Sequence, residues 1–209
     1  MKPYVIHFVL AVTMAGCAAA PKTDFTVKNK PIGQPLAGFG ACMNPYLYSF
    51  PNDKEVSPVA VKDLEAKVKA LRPQFVRIFF LQSWWDRDTD SSTAKDHPGM
   101  RESLIKTIRL AQDSGADVLL QLWWDPSRYA DPEAVTRKFA ATIGQLRQKY
   151  GFKCIRYATI QNEPNENSDD VKLARYPLVY RAFDKALREL NLRGDIKIIG
   201  GDLVGPVLL

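Results

Sequence analysis

The chain has 209 residues, of which 46% are apolar and 25% charged, an ordinary composition for one soluble domain with enough length to bury a core. Its formal charge of +6 invites an acidic partner. The basic residues are nevertheless spread through helical stretches, with no Lys/Arg run interleaved with aromatics, which argues against nucleic acid.

Residues 1–17 have a positive start, an apolar middle and small residues before Cys17, the layout of a bacterial export signal. The segment is too short to persist as a membrane span. TMAGC at 13–17 resembles a lipobox with Met14 in place of the usual Leu, so Cys17 is the expected lipid anchor of a cell-envelope lipoprotein. A plain secretory signal cut near 18–20 is the alternative. Residues 18–36 are small, polar and Pro-rich, which suits a tether into a domain at 37–209. Cys42 and Cys154 fall at opposite ends of predicted parallel strands and are read as buried free thiols.

From 37 onward the chain alternates. Residues 37–43 predict a strand. Ser57 and Pro58 open a helix over 57–71 with Val61, Leu64, Val68 and Leu71 on one face. A strand follows at 74–81, a helix at 101–114 closed by Gly115, and a strand at 117–124. Asp131 and Pro132 start a helix that Gly151 ends, and residues 154–161 are strand. The next helix, 176–190, buries Val179, Phe183, Leu187 and Leu190, and a last strand covers 196–201.

This βαβαβαβαβ pattern predicts an α/β fold with a parallel sheet. No phosphate-binding glycine turn accompanies the first strand, which favours a (β/α)8 TIM barrel over a doubly wound sheet. A barrel needs about 250 residues. The chain is therefore expected to be the N-terminal portion of one, truncated after about five β/α units.

In parallel α/β proteins the ligand site lies beyond the carboxyl ends of the strands. Tryptophan is concentrated there, in two Trp-Trp-Asp copies: Trp84, Trp85 and Asp86 after the second strand, and Trp123, Trp124 and Asp125 after the third. The first strand contributes Asn44 and Tyr46, and the fourth ends in Asn162 and Glu163 before Pro164, which has no N–H for a ladder. Indole faces beside acids and amides suit a sugar ring, with its apolar face and hydroxyl rim. Arg77 is a charge inside an apolar strand and calls for a carboxylate partner in the site. His97 alone remains in the mature chain, so neither a metal site nor a Ser-His-Asp site is expected, and no cofactor is implied.

RYATIQNEPN at 156–165 resembles the fourth-strand motif of the clan A glycoside hydrolases, with families 5, 39 and 30 as candidates. Arg77, Gly38 to Gly40, and residues 198–201 are similar to other strand motifs of that clan. The resemblance implies a retaining hydrolase acting on β-linked oligo- or polysaccharides. In it Glu163 is the acid/base, Asn162 holds the sugar 2-hydroxyl, and Arg77 steadies a nucleophile carried by a seventh strand beyond residue 209. Asp86, Asp125, Glu166 and Asp202 do not occupy that position. The fragment alone is then expected to be inactive. The competing expectation is a carbohydrate-binding surface lipoprotein without turnover.

Overall fold

The computed structural model describes residues 38–49, 52–86, 99–123, 131–162 and 176–200. The export signal, Cys17, the tether, His97, Trp124, Asp125, Glu163, Glu166 and Asp202 lie outside the described residues.

Five strands form one sheet, β1 (Gly40–Met43), β2 (Phe75–Phe80), β3 (Asp117–Leu122), β4 (Ile155–Thr159) and β5 (Lys197–Ile198). Every neighbouring pair is parallel and the order is sequential, β1-β2-β3-β4-β5. Parallel neighbours need long crossovers, and helices supply them: α1 (Asn52–Glu55), α2 (Pro58–Leu71), α3 (Gln82–Asp86), α4 (Met100–Asp113), α5 (Pro132–Lys149) and α6 (Tyr176–Glu189). None of these is long and apolar enough to cross a membrane.

Helix boundaries follow local chemistry. Ser57 accepts a hydrogen bond from the Ala60 N–H, and Asp131 accepts from those of Glu133 and Ala134, each next to a proline whose missing N–H costs nothing at a helix start. At the other ends, Gly115 and Gly151 have φ of 80° and 71°, the left-handed conformation that closes α4 and α5.

The core lies between one sheet face and helices α4 to α6. Val76, Ile78 and Phe80 of β2 and Val118, Leu120 and Leu122 of β3 are buried against Leu104, Ile108, Phe139, Ile143, Phe183 and Leu187. Phe139 stacks between Phe80 and Phe183 at 5.4 and 5.3 Å, tying β2, α5 and α6 through one column. Each such side chain contributes about 1.5–3 kcal/mol on burial, so this face dominates stability.

The alternate residues face the other way. Cys42, Arg77, Leu119, Tyr157 and Lys197 are register partners across the five strands. A register shift beside Val118 and Leu119 leaves Arg156 out of the pairing, exposed and 3.9 Å from Asp117. That bulge brings Tyr157 into the row. A concavity of about 450 Å³ runs along this face, lined by Gly40, Ala41, Cys42, Phe75, Arg77, Leu119, Tyr157 and Ile199.

Three expectations change. The apolar stripe of α2 is present, but no residue of that helix is buried, and Leu64 and Leu71 are 41% and 79% exposed. Among the described residues α2 is tied by polar contacts, Tyr48 Oη to Glu65 at 2.8 Å and Lys69 to Asp113 at 3.8 Å. Leu190 is exposed because α6 ends at Glu189, and Leu192 takes the core position beyond the left-handed Asn191. The two cysteines are free as expected, but Cys42 is exposed because β1 is the edge strand of this sheet. Cys154 is half-buried, and burial pushes its thiol up to about 11.

Candidate active site

Three polar side chains converge on one point, from the middle of β2, from near the carboxyl end of β3 and from just beyond β4. Arg77 leaves the open face of β2, and its Nη2 donates to Asn162 Oδ1 at 2.7 Å. Gln121 of β3 donates from Nε2 to the same oxygen at 2.9 Å and lies 3.5 Å from the Gln161 carbonyl. Asn162 follows the end of β4, so three strands hold one amide. A carbonyl oxygen with two lone pairs can accept both bonds.

An aromatic wall adjoins the cluster. The Arg77 guanidinium sits 4.5 Å from the centre of the Phe79 ring, and Phe79 packs against Trp123 with centroids 5.6 Å apart. Trp123 is 47% exposed, so it combines a fixed position with an open face. A cation over a ring face is favourable, and holding both Arg77 and Trp123 against Phe79 costs each of them freedom before any ligand arrives. The arrangement can present an indole surface, a guanidinium and an oriented amide to one ligand.

The first Trp-Trp-Asp copy does not offer the open indole faces expected of it beyond the second strand. It belongs to α3, and both tryptophans are buried. Trp84 packs edge-on against Tyr46 at 5.6 Å. Trp85 joins the core, donates from Nε1 to Gln145 at 3.1 Å and lies under the Arg101 guanidinium at 4.2 Å. Asp86 accepts from Gln82 at 3.0 Å and pairs with Lys138 of α5 at 3.2 Å. Trp85 and Asp86 are therefore engaged with the helical layer, because a helical turn after Phe80 carries the chain away from the open face.

Asn44 caps the short 3-10 turn Pro45–Tyr48 by accepting from the Tyr46 N–H at 3.3 Å. Burial raises the Tyr46 phenol above its ordinary range. Beneath this turn the Ser103 hydroxyl donates to the Pro45 carbonyl. Gln121 and Phe79 were not singled out by the sequence reading. The signal for Gln121 is the one that marked Arg77, a polar residue within an apolar strand, and Phe79 is two positions from Arg77 on the same face.

No family model matches the chain, and no curated protein matches it. Among solved structures it is similar to the crystal structure of beta-glycosidase BGL167, with 14% sequence identity and a TM-score of 0.46. The similarity covers 77% of this chain and 54% of that one, so the chain spans about half the length of that protein.

Proposed function

We propose that this chain carries the acid/base side of a retaining β-glycoside hydrolase of the clan A type, built on a (β/α)8 barrel. The strand order supports the barrel: among the described residues the sequence of strands never reverses, whereas a doubly wound sheet reverses at its ligand-binding switch point. One face of the sheet is packed by helices and the other is a concavity, the arrangement a barrel wall requires.

The observation that carries the reading is the convergence of Arg77 and Gln121 on Asn162. A side chain held by two donors from two other strands is preorganised, and the residue after it is Glu163. In the proposed reaction Glu163 gives its proton to the glycosidic oxygen as the bond to the anomeric carbon breaks. It then takes a proton from the water that releases the sugar. Asn162 binds the 2-hydroxyl, and Trp123 offers a stacking face to the sugar ring. Retention calls for a second carboxylate about 5 Å from Glu163 on the same rim, within the field of Arg77. Residues 1–17 export the protein, and Cys17 anchors it in this reading.

The test is Glu163→Gln in the full-length protein. It should nearly abolish cleavage of substrates with poor leaving groups and spare the first step on activated aryl glycosides, which need no proton. A wild-type protein that binds oligosaccharides and cleaves none would favour the non-catalytic carbohydrate-binding alternative.

A further inference from the structure

Gln121 is an amide that is 1% exposed in the strand sequence DVLLQL, where the flanking residues are apolar. A primary amide in such a place is costly unless its hydrogen bonds are made, so its orientation is tightly determined. Its Nε2 is a donor only, as is Arg77 Nη2. Both atoms point at one atom of Asn162, at 2.9 and 2.7 Å. That atom must be an oxygen, since an NH2 group there would face two other N–H donors. The Asn162 Nδ2 is consequently on the side of the amide away from the Arg77 and Gln121 donors.

We propose that Gln121 is a positioning residue that fixes the Asn162 amide with its NH2 toward the substrate, and thereby sets the protein's preference for sugars bearing a 2-hydroxyl. The inference rests on the functional reading above and extends it to a residue that does not itself touch the sugar. Arg77 alone is a weaker lock, because a guanidinium on a long stem can be drawn to another acceptor, whereas Gln121 is enclosed. A donor at Nδ2 bonds a hydroxyl oxygen. A flipped amide would offer an acceptor there and would leave its own NH2 against Arg77.

Two variants test this in the full-length protein. Gln121→Glu keeps size and replaces the donor with an acceptor, which draws both Arg77 and the Asn162 NH2 toward itself. Gln121→Met removes the donor without adding charge. The probes are 4-nitrophenyl β-glycosides that the wild type cleaves and their 2-deoxy counterparts, each variant being compared with wild type on the same substrate. Gln121→Glu should lower kcat/KM by about 10- to 100-fold on the 2-hydroxy substrate, and Gln121→Met by less. Both should change the 2-deoxy substrate by less than about threefold, and Gln121→Glu should add little to Asn162→Ala. Equal losses on both substrates would reduce Gln121 to a structural residue, and unchanged kinetics on both would also overturn the proposal, leaving the glycosidase reading intact. If Gln121→Glu does not give a cooperative melt, the same contrast is read from Gln121→Met. A wild type that cleaves no glycoside overturns the functional reading itself, and this inference with it.

Discussion

Arg77 in the middle of β2 and Asn162 beyond the end of β4 are 85 positions apart in the chain and joined by a 2.7 Å hydrogen bond. β3 lies between their strands and adds its own donor from Gln121 to the same oxygen. β2, β3 and the end of β4 are thus cross-tied by side chains in addition to the backbone ladder. Misplacing any of the three strands would be felt at this amide first, which makes the cluster a sensitive reporter of sheet geometry as well as a candidate binding group.

The tryptophans should separate by burial. Trp85→Ala removes a core indole, its bond to Gln145 and the Arg101 stack, and should destabilise the protein by about 3–5 kcal/mol. Trp123→Ala removes a half-exposed ring and should change the melt far less while weakening oligosaccharide binding several-fold. Calorimetric melts and binding titrations of the two variants read the split. A Trp123→Ala protein with unchanged sugar affinity would remove Trp123 from the site.

Asp184 gives a pH-dependent contribution. Hydrogen bonds from Arg188, at 2.7 Å, and from Arg193 hold its carboxyl below the ordinary carboxylate range. A depressed folded-state pKa means that the contribution is complete above the unfolded value of about 4 and is lost as pH falls through the folded value. Asp184→Asn should therefore cost up to about 1 kcal/mol near neutrality, in keeping with a solvent-screened pair. Urea midpoints of wild type and variant should converge in acid, and an equal gap at both pH values would contradict the assignment.

Export and anchoring give an independent prediction. Cys17→Ser should release the protein from the membrane fraction into the soluble envelope or medium, with no change in the melt of the released protein. Wild-type protein lacking an N-terminal lipid by mass spectrometry would favour the plain secretory signal.

Much of the scaffold was legible because it rests on local signals. Ser57-Pro58, Asp131-Pro132, Gly115 and Gly151 punctuate the helices as their capping chemistry requires, and all five strands lie within their predicted stretches. What was not legible depended on which elements end up adjacent. Leu64 and Leu71 form an apolar stripe whatever covers them, so periodicity could not tell that α2 stays exposed. The Trp84 to Asp86 stretch reads as part of the ligand rim beyond β2, yet its helical turn moves Trp85 and Asp86 to the α5 side. Arg77 stood out as a charge in a strand, whereas Gln121, neutral and bracketed by leucines, passed as part of an apolar run until its partner was seen.

The most direct test of the central claim is the product formed by a Glu163→Ala variant of the full-length protein from an activated aryl β-glycoside in the presence of azide. In a retaining enzyme the aryl group leaves unaided as the nucleophile carboxylate bonds to the anomeric carbon. Azide, which needs no base, then displaces that carboxylate from the face opened by the missing side chain. Proton NMR of the reaction should show a β-glycosyl azide, together with recovery of the lost turnover. No azide adduct and no rate recovery, or an α-glycosyl azide, would contradict the role given to Glu163 and the retaining mechanism with it.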